Sequence, residues 1–161
     1  SPRRMGNAHP NLVPYQTFDV ADGEVVIAVG SDAQFRALCA VLGLDGTGTE
    51  DWAATNAARV MNRQQVAARL QPALLAWRRD ALLEALLAAG VPAGPINTVA
   101  EAFAEAQSVA RQMVYRVRSR DGESVPAVRS PLTMTGLPEP SARAAPRLGE
   151  HQHESWSQNR P

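Results

Sequence analysis

The densest run of reactive side chains in the 161-residue sequence is Glu150-His151-Gln152-His153-Glu154, where two imidazoles and two carboxylates offer metal-ligand chemistry. The spacing works against that use. Two His at i and i+2 point apart on a helix, and no third committed ligand accompanies them, so a solvated helix start is expected. Cys39 offers a nucleophilic thiolate, but it falls on an apolar helical stripe with no His near it in sequence, which predicts a buried structural thiol. Asp45-Gly46-Thr47-Gly48-Thr49 has the glycine content of a phosphate loop. No strand feeds it, and neither a GxGxxG pattern nor a lysine completes it, so a turn is expected. Arg116, Arg118, Arg120 and Arg129 have the charge to hold a phosphate, or form the solvated face of a hairpin. No GxSxG, HExxH or clear carboxylate dyad is present, and local chemistry by itself identifies no enzyme.

Composition removes further chemistries. All 16 basic residues are arginine. Without lysine there is no Walker A loop, no pyridoxal Schiff base and no kinase-type nucleotide grip within this sequence. Sixteen acidic residues cancel the arginines, so no net field recruits nucleic acid or an anionic membrane. No apolar run approaches the ~20 residues that span a bilayer, and Ser1-Pro2-Arg3-Arg4 leads into no signal-peptide core. The single cysteine makes no internal disulfide, which fits a reducing cytoplasm. The arginine- and alanine-rich usage points to GC-rich bacterial coding. Residue 1 is Ser and not Met, so an upstream segment is expected.

The elements that would position these groups form an α+β pattern. Val13 to Val20 and Val25 to Val29 are β-rich runs around Ala21-Asp22-Gly23-Glu24, an Asp-Gly hairpin signal. The second run is apolar throughout, which predicts a central strand covered on both faces. Ser31 and Gln34 form a capping pattern before Phe35, Leu38, Cys39 and Leu42, with Gly43 as the stop. Residues 44 to 61 read as an irregular connection with one helical turn at most. Val66, Leu70, Leu74 and Trp77 share a helical stripe that Pro72 is expected to kink or divide. Asp80 is placed to cap a helix in which Leu82, Leu83, Leu86 and Leu87 form the inward face, ended by Gly90 and Pro92. Val91 to Ile96 reads as a rigid elbow, too proline-rich for a central strand, before a helix capped by Asn97 or Thr98 and running to about Gln107. Met113 to Arg118 and Ser124 to Val128 flank a second Asp-Gly turn, with Tyr115 and Val117 inward and Arg116 and Arg118 outward. Pro131, Pro138, Pro140 and Pro146 then punctuate an extended arm.

Several segments, in order, carry a resemblance. Gly6-Asn7-Ala8-His9-Pro10-Asn11-Leu12-Val13-Pro14-Tyr15-Gln16 and Ala21-Asp22-Gly23 lead into Val29-Gly30-Ser31-Asp32-Ala33-Gln34-Phe35. Ala57-Ala58-Arg59-Val60-Met61-Asn62-Arg63, Ala89-Gly90-Val91-Pro92-Ala93-Gly94-Pro95-Ile96 and Leu148-Gly149-Glu150-His151 follow. Over about residues 5 to 154 the sequence resembles the class III CoA-transferases (CaiB/BaiF type), the family of formyl-CoA transferase, carnitine CoA-transferase and α-methylacyl-CoA racemase. It is similar to their C-terminal portion alone.

That resemblance implies a partition into a lead-in loop (1–14) similar to the family's active-site loop, a small α+β domain (15–130) with antiparallel hairpins and several helices, and an extended proline-rich return arm (131–161). It implies transfer of CoA between carboxylic acids through an acyl-aspartyl anhydride whose aspartate lies in an N-terminal Rossmann-like portion outside this sequence. No residue here matches the family's catalytic motif, so the sequence alone is expected to be inert. Gly6, Asn7, Ala8, His9, Pro10 and Asn11 are the implied substrate-loop residues, and His9 in place of a glycine run implies a stiffer loop with its imidazole toward the substrate. No metal and no resident cofactor are implied, coenzyme A arriving as the thioester substrate. The implied partners are an acyl-CoA, a carboxylic acid acceptor, the N-terminal portion and a second copy in a homodimer. An acyl-CoA racemase and a non-catalytic CoA- or protein-binding module are the alternatives.

Overall fold

A computed structural model describes residues 6–136 and 141–153, which fall into two compact units divided after Ile96. Ser1-Pro2-Arg3-Arg4, Pro138, Pro140 and Glu154 lie outside the described residues. The architecture is α+β with antiparallel strands, as the sequence pattern implied.

In the first unit, β1 (Tyr15–Val20) and β2 (Gly23–Ala28) pair antiparallel with Phe18 opposite Val25 and Val20 opposite Gly23. A third strand, β3 (Ala93–Pro95), pairs antiparallel with the other side of β2, so β2 is central. The elbow expected at Val91 to Ile96 is therefore in part a sheet edge. Proline is tolerated there because an edge leaves one row of backbone groups unpaired. Coverage of β2 is one-sided: Val25 and Ile27 are fully buried while Val26 and Ala28 are half-buried, the period-2 pattern that a continuous apolar run concealed.

Ser31 caps α1 (Asp32–Val41), its hydroxyl accepting from the Gln34 N–H at 3.2 Å. Phe35, Leu38 and Cys39 form the inward face. The segment 44–61 is more regular than its composition suggested: a 3₁₀ helix spans Asp45–Thr49, and α2 (Asn56–Met61) is capped by Thr55. Gly48 lies against α1, where a Cβ would stand 3.2 Å from the Arg36 backbone and 3.1 Å from its side chain. The glycine thus serves close packing. The third helix, α3 (Arg63–Leu74), contains Pro72 and is not divided by it. Only its last turn lies beyond the proline, so the lost backbone bond costs little helix.

The next helix, α4 (Arg79–Ala88), starts at Arg78 and not at Asp80. Asp80 sits in the first turn, where it favours the positive end of the helix dipole. The capping bond comes from the hairpin turn, where the Asp22 carboxylate accepts the Arg79 N–H at 2.7 Å. Leu82 and Leu86 from α4, Val66, Leu70 and Leu74 from α3, and the inward faces of β1, β2 and α1 make one continuous core; Leu83 packs at its margin, and Leu87, expected inward, is exposed because the face is narrower than four leucines.

The second unit begins with α5 (Val99–Ala104), which carries a full capping box of Thr98 and Glu101. The single helix expected to about Gln107 is broken at Glu105, whose extended backbone ends α5 and starts α6 (Ala106–Ala110). β4 (Val114–Arg118) and β5 (Ser124–Val128) form the second hairpin. Val117 is buried, Tyr115 half-buried, and Arg116 and Arg118 exposed, as their alternation predicted. Residues 142–144 then run parallel beside Arg118, the Arg118 N–H donating to Ala142 O and the Ala144 N–H to Arg118 O, each at 3.1 Å.

Candidate functional site: a clamped loop ahead of the first hairpin

The segment from Gly6 to Pro14 precedes β1 without joining the sheet. Gly6 has a φ of +65°, a left-handed turn that glycine adopts without steric cost. The Asn7 amide donates to the Thr17 hydroxyl on β1. The His9 N–H donates to Tyr15 O at 2.9 Å, and the His9 ring stacks on Tyr15 with centroids 5.3 Å apart and planes 11° from parallel. The His9 Nδ1 accepts the Asn11 N–H at 3.1 Å, which folds residues 9–11 into a tight turn. Ala8 and His9 are half-buried; Gly6, Asn7, Pro10 and Asn11 are exposed.

The carbonyls of this loop are held from the α2–α3 region. Arg63 donates to His9 O at 2.9 Å and to Pro10 O at 2.7 Å. The Asn56 side chain donates to Asn11 O at 2.8 Å and accepts the Val13 N–H at 3.2 Å. Arg59 donates from Nε to Val13 O at 2.6 Å. Loops seldom have so many of their acceptors taken by side chains rather than by water. The loop is thus held by three helical residues to which the sequence pattern assigned no role. Asn56 and Arg59 lie on α2 and Arg63 opens α3, so the three come from two helices, the first of which falls in a segment whose composition reads as irregular.

Arg59 is the most buried of the three, at 1% exposure. Its guanidinium also donates to Ala53 O and to the Asp32 carboxylate, both at 2.9 Å, and lies 4.4 Å from the Phe35 ring centroid. A buried guanidinium is tolerable only when its fork is satisfied in this way, by two carbonyls, a carboxylate and a π face. Asp32 is 41% exposed, so the pair sits at the boundary of the core.

Cys39 is fully buried under α1, and burial pushes its thiol up to about 11, only partly opposed by the nearby Arg59 cation. It is held as the protonated thiol, the chemistry of a packing residue and not of a nucleophile. Residues 45–49 cradle nothing phosphate-like: the turn packs on α1 with Thr47 buried.

In the second unit a cleft of about 540 Å³ is lined by Arg118, Arg120, Arg143, Arg147, Glu150 and His151 among others. Two of its cations have carboxylate partners. Arg120 pairs with Glu150 at 3.5 Å, and Arg147 pairs with Asp121. The Glu150 carboxyl is held below its ordinary range, chiefly by the Arg147 backbone N–H, which it accepts at 2.7 Å. Arg116 is spent on the Ser124 hydroxyl and carbonyl. Of the hairpin arginines, Arg120 has a carboxylate partner, Arg116 and Arg118 bond to neutral groups of the facing strand and turn, and Arg129 has its Nε buried without a hydrogen-bond partner among the described residues. Among the described residues, no group of three His, Cys, Asp or Glu comes together to hold a metal.

Comparison with known proteins decides the lineage. The sequence matches the family described as CoA-transferase family III over residues 1–152. The chain belongs to CoA-transferase family III. It is 42% identical over 151 residues to the succinate--glutarate CoA-transferase of Agrobacterium fabrum, covering 94% of this chain and 38% of that protein. It is 34% identical over 151 residues to the acetyl-CoA:oxalate CoA-transferase of Acetobacter aceti, covering 93% and 38%. The crystal structure of a CAIB/BAIF family protein from Brucella suis superposes with a TM-score of 0.82 at 45% identity, over 94% of this chain and 39% of that one. The family III chain described here thus spans less than two fifths of the length of these relatives.

Proposed function

We propose that this chain is the C-terminal portion of an acyl-CoA:carboxylate CoA-transferase, and that residues 6–11 cover the thioester during transfer. The observation that carries the reading is the 42% identity, across 94% of the chain, to a protein named for CoA transfer between succinate and glutarate. The clamped loop supports it, because a segment fixed by Asn56, Arg59 and Arg63 presents its exposed edge in one geometry, as groups that position a thioester require.

In this reading the functional partition is the loop 1–14, the small domain 15–130 and the return arm 131–161. The reactive aspartate, which forms the acyl-aspartyl anhydride, belongs to an N-terminal Rossmann-like portion. The substrates are an acyl-CoA and a carboxylic acid, without a resident cofactor. The acceptor is a short dicarboxylic acid, the class in the names of both relatives. The working unit is a homodimer in the cytoplasm. No observation favours the racemase alternative.

The test joins this chain to the N-terminal portion of the Agrobacterium relative, in place of the matching segment, and follows exchange of CoA between succinyl-CoA and added acids by chromatography. The expected result is exchange by the chimera and none by either portion alone. A folded chimera without exchange, or one that only exchanges the α-proton of a branched acyl-CoA for deuterium, removes the transferase reading.

A further inference from the structure

We propose that His9 contacts the acid substrate as a fixed hydrogen-bond donor, presenting Nε2–H to a carboxylate oxygen, and is not a proton acceptor. This rests on the reading of residues 6–11 as the substrate loop. The tautomer follows from geometry. The Asn11 N–H points at Nδ1 from 3.1 Å, so Nδ1 must supply a lone pair. A neutral imidazole carries one N–H, which is then on Nε2.

A half-turn of the ring would keep its stacking on Tyr15 but replace Nδ1 with a C–H against the Asn11 N–H, losing that bond. The backbone that carries the ring is fixed by the His9 N–H on Tyr15 O and by Arg63 on His9 O. Nε2 is the one polar atom of His9 with no partner among the described residues. With its backbone N–H, its carbonyl and Nδ1 engaged within the unit, His9 has Nε2 left to meet a ligand.

The acceptor that such an edge prefers is anionic. A donor-only nitrogen gains more from an ionised carboxylate than from a thioester carbonyl, because charge-assisted hydrogen bonds are shorter and stronger. The acid that accepts CoA supplies such an oxygen. The edge offers nothing to a proton, so His9 takes no part as general base.

The experiment uses the full-length protein with its N-terminal portion. His9→Phe keeps an aromatic ring on Tyr15 and removes both the Nε2–H donor and the Nδ1 acceptor of the Asn11 N–H; His9→Gln also lacks the ring and Nδ1 but keeps a donor near Nε2, so the pair isolates the donor. The expected result is a rise of roughly ten- to hundredfold in KM for the acid with His9→Phe, the size of one lost hydrogen bond to a charged group. KM for acyl-CoA and the melting temperature stay near those of the parent, and His9→Gln recovers most of the loss. Ring-15N labelling of the parent protein should show the proton on Nε2. A His9→Phe variant with parental KM for the acid, a loss that His9→Gln does not recover, or a proton found on Nδ1 overturns the proposal.

Amide exchange of residues 6–11 separates the two levels. Protection on adding the acid with succinyl-CoA, together with a silent His9→Phe, sinks the donor and leaves the substrate loop standing. Absence of any protection sinks both. The labelling result needs no variant and decides the tautomer even if His9→Phe fails to fold.

Discussion

The two units solve the problem of order in different ways. Among the described residues, every buried apolar side chain except Val117 lies in the first unit. There, three strands and the helices around them share one core, and a charged residue, Arg59, is drawn inside to hold the loop. The second unit leaves Val99, Val109, Val128, Leu132, Met134 and Leu148 exposed and relies on a hairpin ladder, a capping box and arginine pairs. Burial of a large apolar side chain is worth ~1.5–3 kcal/mol, while an exposed ion pair contributes ~0–1 kcal/mol. Among the described residues the first unit therefore holds nearly all of the apolar burial, and the second has little of its own.

The sharpest way to break that contrast is to separate the units. A polypeptide of residues 1–96 should melt cooperatively in urea by near-ultraviolet circular dichroism, and one of residues 97–161 should show no cooperative transition. A cooperative transition in the second fragment would mean that the hairpin and α5 build a core from side chains that are exposed here.

Arginine provides the next comparison, because the same residue type does different work in each unit. Arg59→Met removes the donors to Val13 O and Ala53 O and the partner of Asp32, and should cost about 2–4 kcal/mol by urea midpoint. Arg116→Met removes bonds to an exposed serine and should cost less than about 0.5 kcal/mol. Equal costs would show that the buried fork is not what secures the loop.

How far the sequence disclosed this arrangement differs between the units for a physical reason. The Asp-Gly hairpins, the Ser31 cap and the Leu82–Leu86 stripe were legible because local turn chemistry and periodicity dictate them. The α2 helix was hidden in a run of small residues, and its cap, Thr55, has no apolar period behind it. The break at Glu105 was hidden by helix-favouring residues on both sides. At the site, Gly6 to Asn11 were singled out by family resemblance, but the clamp was not. Arg59 makes contacts reaching 46 residues back along the chain, and no local rule assigns a buried role to an arginine.

Cys39 probes the first unit through pH. Its thiol is raised from 9.0 to about 11 by burial, so between these values the folded state keeps a proton that the unfolded state has lost. Stability should therefore fall as pH climbs from about 9 toward 11. With no lysine in the chain, few other groups titrate in that window. Cys39→Ala should lower stability at neutral pH by about 1 kcal/mol, through the small cavity it leaves, yet flatten that alkaline slope. An unchanged slope would show that burial of Cys39 is not its source.

The smallest effect belongs to the second unit, and its sign is opposite. The Glu150 carboxyl is depressed by the Arg147 N–H first, with Arg120 adding its charge. A carboxyl with a lowered folded-state value supports the fold above its unfolded value, and the support fades as pH falls through the folded one. The turn at residues 147–150 should then loosen in acid while the first unit, whose order is apolar, stays intact. Amide exchange of Glu150, whose N–H is bonded to Arg147 O, reads that loosening directly. Glu150→Gln retains an acceptor for the Arg147 N–H but cannot titrate, so its exchange rate should lose the acid dependence that the parent shows. Acid-induced exchange that persists in Glu150→Gln would mean the turn is held by its backbone alone, and that even the pairs assigned to this unit contribute nothing to its order.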